Sequence, residues 1–308
     1  MLCSDKKGKK MSHQTKHSLM LTVCAFIWGT TFVAQSVVTD SMGAFTYNFS
    51  RSVIACIFIS FVIRVFDKKK IVTHPPKNSS ERFYNIKGGI VCGTILTFGM
   101  FFQQYGLGFT TVEKAGFLTT LYIILVPIVG IFMGKKSSFF IWISVALTIV
   151  GLYLLCISET LHLAKGDLLM IISAIIYTLQ ILAIDHYSPN VDGVRMSFYQ
   201  FMVVGIESFI LMMIFDNPQL SQITDNIIPI LYAGILSSGI AYTLQILGQA
   251  NLNPAIASVI MSLESVFSAL SGWLVLHEKM TVKEFMGCAL IFTAVLLAQI
   301  KPKEKVSV

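Results

Sequence analysis

The amino-acid sequence predicts an all-α integral membrane protein with ten transmembrane helices in two inverted five-helix repeats. Three observations predict this class: the composition, the distribution of charge and a weak internal repeat. Hydrophobic residues make up 55% of the 308 residues and charged residues only 13%, whereas an ordinary soluble domain has roughly 25% charged residues. The chain is therefore expected to lie in a bilayer.

Apolar stretches separated by charged residues, glycine and proline divide the chain into ten spans. Each span is expected to be a helix, because a lipid-exposed strand edge leaves backbone groups unsatisfied and because the spans lack the period-two alternation of a barrel. The basic run KKGKK before the first span resembles the start of a signal peptide, but no small-x-small cleavage site follows it, so this span is expected to be retained. The predicted spans are 18–37, 44–66, 87–109, 114–134, 139–157, 167–186, 194–215, 228–248, 253–276 and 282–300.

The orientation follows from the positions of lysine and arginine. With the N-terminus inside, eighteen of these residues lie on the inner side and four on the outer side, and Arg51 falls within span two. Because cytoplasmic loops collect Lys and Arg, both termini are predicted to be cytoplasmic, with tails at 1–17 and 301–308. The same bias explains the net charge of +7 without a nucleic-acid partner.

The two halves of the chain show a weak repeat. An offset of 149 residues pairs Trp28 with Tyr177, and an offset of 142 pairs Gln103 with Gln245. Each half, 18–157 and 167–300, then contains five spans, and an odd number places the halves in opposite orientations within one membrane domain. Transporters built in this way hold their substrate near mid-membrane, between the repeats.

Polar and aromatic side chains inside the spans are the candidates for a substrate site, because polar groups are costly in hydrocarbon unless they have partners. They fall on helical faces in spans one, three, four, six, eight and nine. An alternative explanation is that they only join helices, at about 0.6 kcal/mol per hydrogen bond. The predicted substrate-binding residues are Trp28, Gln35, Gln103, Tyr122, Tyr177, Gln180, Tyr242, Gln245 and Glu264.

Glu264 is the least expected of these residues, since it lies at the middle of span nine with no other charge nearby in the sequence. Three roles remain open for it: a structural acid with hydrogen bonds to its neighbours, a ligand for an amine or another cation, and a proton carrier. The offset of 142 aligns it with Tyr122 in span four.

Other polar or helix-breaking residues within the spans have simpler explanations. Arg51 and Glu207 lie at similar predicted depths, and we expect them to pair. Pro127 in span four removes a backbone hydrogen bond and is a candidate kink. Three further residues at the inner end of span six are expected to be interfacial: Asp185, His186 and Asp192.

Signatures of enzymes and metal sites were not found in the sequence. His277-Glu278-Lys279-Met280-Thr281 lacks the second histidine of HExxH, and there is no phosphate-binding GKS or GKT loop. The six cysteines show no zinc-ligand spacing. The sequence therefore predicts a protein that is not an enzyme, with no cofactor and no metal.

Several motifs resemble the EamA-type transporters of the drug/metabolite transporter superfamily. They are WGTTFVAQ in span one, AGFLTTLYIILVPIVGIF in span four, AYTLQILGQ in span eight and ASVIMSLESVFSALSGWLVLHEK in span nine. The resemblance implies ten helices in two inverted repeats and export or exchange of small metabolites such as amino acids. In many members a proline follows the glutamate of span nine, where this chain has Ser265, so a helix break at this point does not follow from the resemblance.

Together these observations predict a multi-pass protein of the plasma membrane, of the bacterial inner-membrane type. The expected function is secondary transport of an amino acid or a similar small solute by alternating access, in efflux or exchange. The alternative is a passive facilitator or channel, although the sequence lacks the ring of like charges that would line such a pore. The expected partners are a small-molecule solute and the lipid bilayer; the sequence is compatible with a monomer and does not fix the oligomeric state.

Overall fold

A computed structural model describes residues 13–69, 76–110, 112–135, 137–156, 165–275 and 280–300. These residues form helices and the short turns between them, with no β-strand in the described ranges. The described residues of the first half form six helices: α1 (His13–Thr39), α2 (Ala44–Lys69), α3 (Ser79–Leu107), α4 (Val112–Thr119), α5 (Tyr122–Phe132) and α6 (Phe139–Cys156).

The second half forms eight further helices, of which α9 is a short helix between spans. They are α7 (Lys165–Tyr187), α8 (Gly193–Phe215), α9 (Leu220–Asp225), α10 (Ile227–Tyr232), α11 (Tyr242–Gln249), α12 (Pro254–Met261), α13 (Leu263–Val275) and α14 (Val282–Ala298). Residues Ala233–Ala241, between α10 and α11, form a π-helix.

Eight of the described helical stretches are long and apolar enough to cross a membrane, and Phe139–Leu155 is a shorter apolar helix. The predicted tenth span corresponds to α14, which packs along α6. The all-helical membrane class is therefore confirmed, while the count of ten crossings stays a prediction.

Local sequence signals fix several helix starts. The side chain of Asp192 accepts hydrogen bonds from Val194 N and Arg195 N at the start of α8, and Asn253 caps α12 ahead of Pro254. A side-chain oxygen at this position satisfies backbone N–H groups that have no partner inside the helix, and proline is well tolerated in the first turn.

The interruptions within the spans differ from the expected ones. Span four breaks at Thr120–Leu121, whereas Pro127 lies inside α5. Span nine breaks at Ser262, immediately before α13. The two breaks bring helix ends and their side chains to the wall of one central cavity.

Helix packing places spans from the two halves of the chain side by side. The pairs α2 with α8 and α6 with α14 pack along their lengths, and α3 packs against both α7 and α8. Close approach of α1 to α13 depends on Gly29, where a Cβ atom would lie 2.6 Å from the carbonyl oxygen of Glu264. The polar faces of the central helices are thereby enclosed between the two halves.

Candidate functional site

A small cavity lies at the centre of the protein, between helices of both halves. Its volume is about 40 Å³, which is room for about three water molecules. Side chains of α1, α2, α3, α7, the π-helix, α11 and the two broken spans form its wall. The lining residues are Trp28, Thr31, Phe32, Gln35, Arg51, Gln103, Thr119, Tyr122, Tyr177, Gln180, Ile181, Ser237, Tyr242, Gln245, Met261 and Glu264.

Glu264 lies where the two helix breaks meet. Its Oε1 accepts hydrogen bonds from the hydroxyls of Thr120, at 3.2 Å, and Tyr122, at 3.1 Å. Its residue surface is 4% exposed, and it lies in the first turn of α13, where the helix dipole favours a negative charge. The break at Ser262 and the hydroxyls of the first half together hold this carboxyl group in place.

Only one of the two carboxyl oxygens of Glu264 takes part in these contacts. Oε2 accepts no hydrogen bond from the described residues, since both donors bind Oε1. The carboxyl group thus combines a structural contact with an oxygen that is free to accept a further donor.

Arg51 is the second charged side chain of the cavity. The predicted ion pair between Arg51 and Glu207 is wrong. Its Nε donates to Ser238 Oγ at 2.9 Å and its Nη2 to Ser237 Oγ at 2.8 Å. Glu207 instead accepts a hydrogen bond from the hydroxyl of Thr94 at 2.7 Å. Similar depth in two helices did not bring these residues together, because their side chains leave α2 and α8 in different directions.

The π-helix explains why two consecutive serines both reach Arg51. A π-helix has a wider turn than an α-helix and is common at functional sites. Gly234 lets it approach α2, since a Cβ atom there would lie 2.7 Å from the Cβ of Ile54. The chain thus supplies two hydroxyls to a guanidinium group that is 3% exposed.

Amide and aromatic side chains complete the wall. Gln180 and Gln245 exchange two hydrogen bonds, at 3.2 and 3.1 Å. Tyr177 donates its hydroxyl to Gln103 at 3.1 Å. The Trp28 and Tyr242 rings lie 4.8 Å apart between centroids. These contacts join helices, and the same residues line the cavity; substrate binding by them stays a prediction.

A second, larger cavity of about 860 Å³ lies at the ends of α1, α3 and α8 and the start of α2. Its wall is mainly aromatic and includes Phe101 and Phe215, and Gln104 contributes to it. Gln104 accepts a hydrogen bond from Gln35 Nε2 at 3.3 Å and donates to Thr39 Oγ1 at 3.1 Å. Because Gln35 lines the central cavity, this contact lies between the two cavities.

The structure brings all nine predicted substrate-binding residues to the wall of the central cavity. Sequence reasoning missed four polar neighbours: Thr31, Arg51, Thr119 and Ser237. Arg51 was visible as a charge within a span, but its partner was misassigned; the hydroxyl residues carried no distinguishing signal. Of the three residues predicted to be interfacial, Asp185 pairs with Lys135 at 2.6 Å and Asp192 with Arg195 at 2.6 Å, while the His186 ring lies 4.9 Å from that of Tyr187 between centroids; their place at a membrane interface stays a prediction.

The helical membrane fold surrounds a polar cavity that is lined by both halves of the chain, an arrangement typical of transporters. A profile of the EamA-like transporter family matches residues 15–157 and, separately, residues 164–299. The chain belongs to this family, and it is a multi-pass transporter of the plasma membrane.

Curated relatives agree with this assignment. An uncharacterized transporter of Archaeoglobus fulgidus is 30% identical over 289 residues, which cover 92% of this chain and 85% of the relative. The uncharacterized transporter YoaV of Bacillus subtilis is 21% identical over 277 residues, 88% of this chain and 92% of the relative. A solved crystal structure matches 92% of this chain with a TM-score of 0.72 at 17% identity, which shows a shared fold.

Proposed function

We propose that this protein is a secondary transporter that moves a small metabolite, an amino acid or a similar solute, by alternating access, in efflux or exchange. The observation that supports this proposal most directly is the central cavity, where polar side chains of both halves and two buried charges meet. Transporters of inverted-repeat design hold their substrate in such a position.

The proposed architecture is ten helices in two inverted repeats with both termini in the cytoplasm. The family profile supports it by matching the chain twice, over 15–157 and 164–299. Packing supports it as well: α1 packs against α13 and α11, and its counterpart α7 packs against α4, α5 and α3. The excess of Lys and Arg on the predicted inner side supports this orientation.

The size of the cavity supports alternating access. At about 40 Å³ it has room for about three waters, so a larger solute fits only after the surrounding helices move. On the predicted outer side, the contact between Gln35 and Gln104 separates it from the larger cavity. On the predicted inner side, Lys135 and Asp185 form an ion pair between the end of α5 and α7.

Glu264 supports a solute that carries an amine. Thr120 and Tyr122 occupy Oε1, which leaves Oε2 available to a protonated amine within the cavity. A buried carboxylate without a full set of partners is costly, so a cationic group that completes them would bind favourably.

Counterflow in proteoliposomes tests the proposal. Vesicles containing the purified protein are loaded with an unlabelled mixture of amino acids and diluted into a trace of the radiolabelled mixture. We expect a transient, saturable accumulation of label that is absent from empty vesicles. Uptake that rises linearly with concentration and is not accelerated by internal solute would instead support the passive facilitator.

A further inference from the structure

We propose that Arg51 binds an anionic group of the transported solute, and that this group is a carboxylate. This inference rests on the proposed function, since it assigns a solute chemistry to the same cavity. It concerns a residue that the sequence pattern assigned to a structural ion pair with Glu207. The structure shows different partners for both residues.

The first argument is that Arg51 has no acidic partner among the described residues. Its contacts among the described residues are the hydroxyls of Ser237 and Ser238 and the ring of Tyr47, 5.5 Å from the guanidinium carbon. These groups are neutral. A guanidinium group inside a membrane span is costly, and such residues usually pair with an acid or line a solute pathway. Arg51 lines the central cavity.

The second argument is the set of donors that remain free. The two serines occupy Nε and Nη2 of Arg51, so Nη1 makes no hydrogen bond to the described residues. The indole N–H of Trp28 is buried and also has no partner in these ranges. Buried donors normally have partners. Two unsatisfied donors on the wall of one cavity indicate that an acceptor from outside the protein completes the site.

The third argument concerns the charge of that acceptor. The described lining of the cavity contains one cationic side chain, Arg51, and one acidic side chain, Glu264. A carboxylate carries a single charge and has two oxygens that match guanidinium geometry. Arg51 and Glu264 balance each other, so a phosphate dianion would leave two excess negative charges in the cavity, whereas a carboxylate would leave one, which an amine of the same solute would cancel. The charge balance therefore favours a carboxylate, with any amine of the same solute directed to Glu264.

A binding assay on the full chain in detergent tests this assignment. The probes are a mixture of amino acids, the mixture of their neutral-carboxamide derivatives, and the mixture of amines that lack the carboxyl group; inorganic phosphate is a fourth probe. Thermal unfolding is recorded for the wild type, Arg51→Gln, Arg51→Lys and Arg64→Gln. Arg64 is a matched control, since it lies on the same helix but is exposed near its cytoplasmic end.

We expect the amino acids to stabilise the wild type and Arg64→Gln at concentrations at least about tenfold lower than the carboxamides or the amines. The carboxamides and amines lack the carboxylate, so the buried charge pair with Arg51 does not form. In Arg51→Gln this preference should disappear while binding of the amines is retained. Arg51→Lys should keep part of it, since lysine supplies the charge without the two-pronged geometry.

Four outcomes would overturn the assignment. In the wild type they are equal stabilisation by acids and amides, stronger stabilisation by phosphate than by the acids, and no stabilisation by any probe. In Arg51→Gln it is an unchanged preference for the acids. If Arg51→Gln does not fold, the test rests on two measurements: the preference of the wild type for the amino acids over the carboxamides, and its partial loss in Arg51→Lys. Counterflow separates the two proposals: acid-selective binding without counterflow would remove the transport mechanism and keep the carboxylate site, whereas counterflow without acid selectivity would do the reverse.

Discussion

The two buried charges of the cavity, Glu264 and Arg51, are held by the same kind of contact but at different places in a helix. Each bonds to two hydroxyl groups that belong to the other half of the chain. Glu264 lies in the first turn of α13, where the helix dipole favours a carboxylate. Arg51 lies within the unbroken helix α2, which gives it no such support.

This difference shows how the chain places charges inside a membrane. At Glu264 the span that carries the charge is interrupted, at Ser262. For the base the chain changes the neighbouring helix, where the π-helical turn presents Ser237 and Ser238 together. Both arrangements leave one polar atom of the charged group, Glu264 Oε2 and Arg51 Nη1, without a hydrogen bond to the described residues.

The largest expected effect is that of Glu264→Gln. We expect counterflow to fall at least tenfold, since the loss of a buried charge partner costs about 2–5 kcal/mol and 1.4 kcal/mol corresponds to a factor of ten. The folded protein should remain, because glutamine keeps an oxygen for Thr120 and Tyr122. Transport is measured in proteoliposomes and folding by size-exclusion chromatography.

Glu207→Gln is the matched control, since Glu207 is an acid within a span whose oxygen bonds to Thr94 rather than facing the central cavity. It should transport like the wild type. Loss of folded Glu264→Gln protein would support a purely structural acid. Retained exchange with loss of driving by a pH gradient would identify a proton carrier.

The second-largest effect is expected for Gly29 and Gly234, which pack against the backbone carbonyls of Glu264 and Arg51. Gly29→Ala places a Cβ atom 2.6 Å from the carbonyl oxygen of Glu264, and Gly234→Ala places one 3.0 Å from that of Arg51. We expect each to lower the free energy of unfolding by about 1–3 kcal/mol, as overpacking does. Thermal unfolding measures this.

Gly116→Ala provides the comparison, because the nearest atom to its Cβ would be Ser265 Oγ at 3.9 Å. Its stability should be equal to or above that of the wild type. A similar loss in all three variants would show that the close contacts of α1 and the π-helix have no special weight.

A smaller effect is expected for Tyr122→Phe, which removes one of the two donors to Glu264 Oε1. The hydrogen bond from Thr120 remains, so the loss should be about 1 kcal/mol, or about fivefold in apparent affinity. The concentration dependence of counterflow measures it. A loss as large as that of Glu264→Gln would mean that the tyrosine hydroxyl itself contacts the solute.

The smallest effect is expected for Lys135→Gln. Its ion pair with Asp185 is partly exposed, with 43% of the lysine side chain accessible, and such pairs contribute about 0–1 kcal/mol. The free energy of unfolding should change by less than about 1 kcal/mol, and counterflow should persist. A large rise in leakage across the vesicle membrane would show that this pair keeps the inner side closed, which sets it apart from the two charges of the cavity.

Helical periodicity predicted nine of the polar and aromatic residues that share the cavity, although it missed Thr31, Arg51, Thr119 and Ser237. Trp28 and Gln35 are separated by seven residues, and Tyr177 and Gln180 by three, so each pair lies on one helical face. A polar face within an apolar span has few places to point other than inward. That is why all nine predicted residues line one cavity.

Pairing between helices was harder to predict, as Arg51 and Glu207 show. Depth along a helix can be read from the distance to its end, but the direction of each side chain around the axis depends on packing. The π-helix at Ala233–Ala241 and the break at Thr120–Leu121 also left no local signal. Pro127 was a stronger helix-breaking signal by composition, yet it lies within α5.

The central claim is that a solute binds in the central cavity. Its most direct test is whether the solute protects a cysteine on the cavity wall from chemical labelling. In a variant with its six native cysteines replaced, Thr119→Cys adds a thiol to the cavity wall, and Ser221→Cys adds one to the exposed helix α9. Both are labelled with a methanethiosulfonate reagent, with and without the amino-acid mixture at concentrations that saturate counterflow. We predict that the solute slows labelling at Thr119→Cys and leaves Ser221→Cys unchanged; equal labelling rates at Thr119→Cys during active counterflow would contradict a solute site in the central cavity.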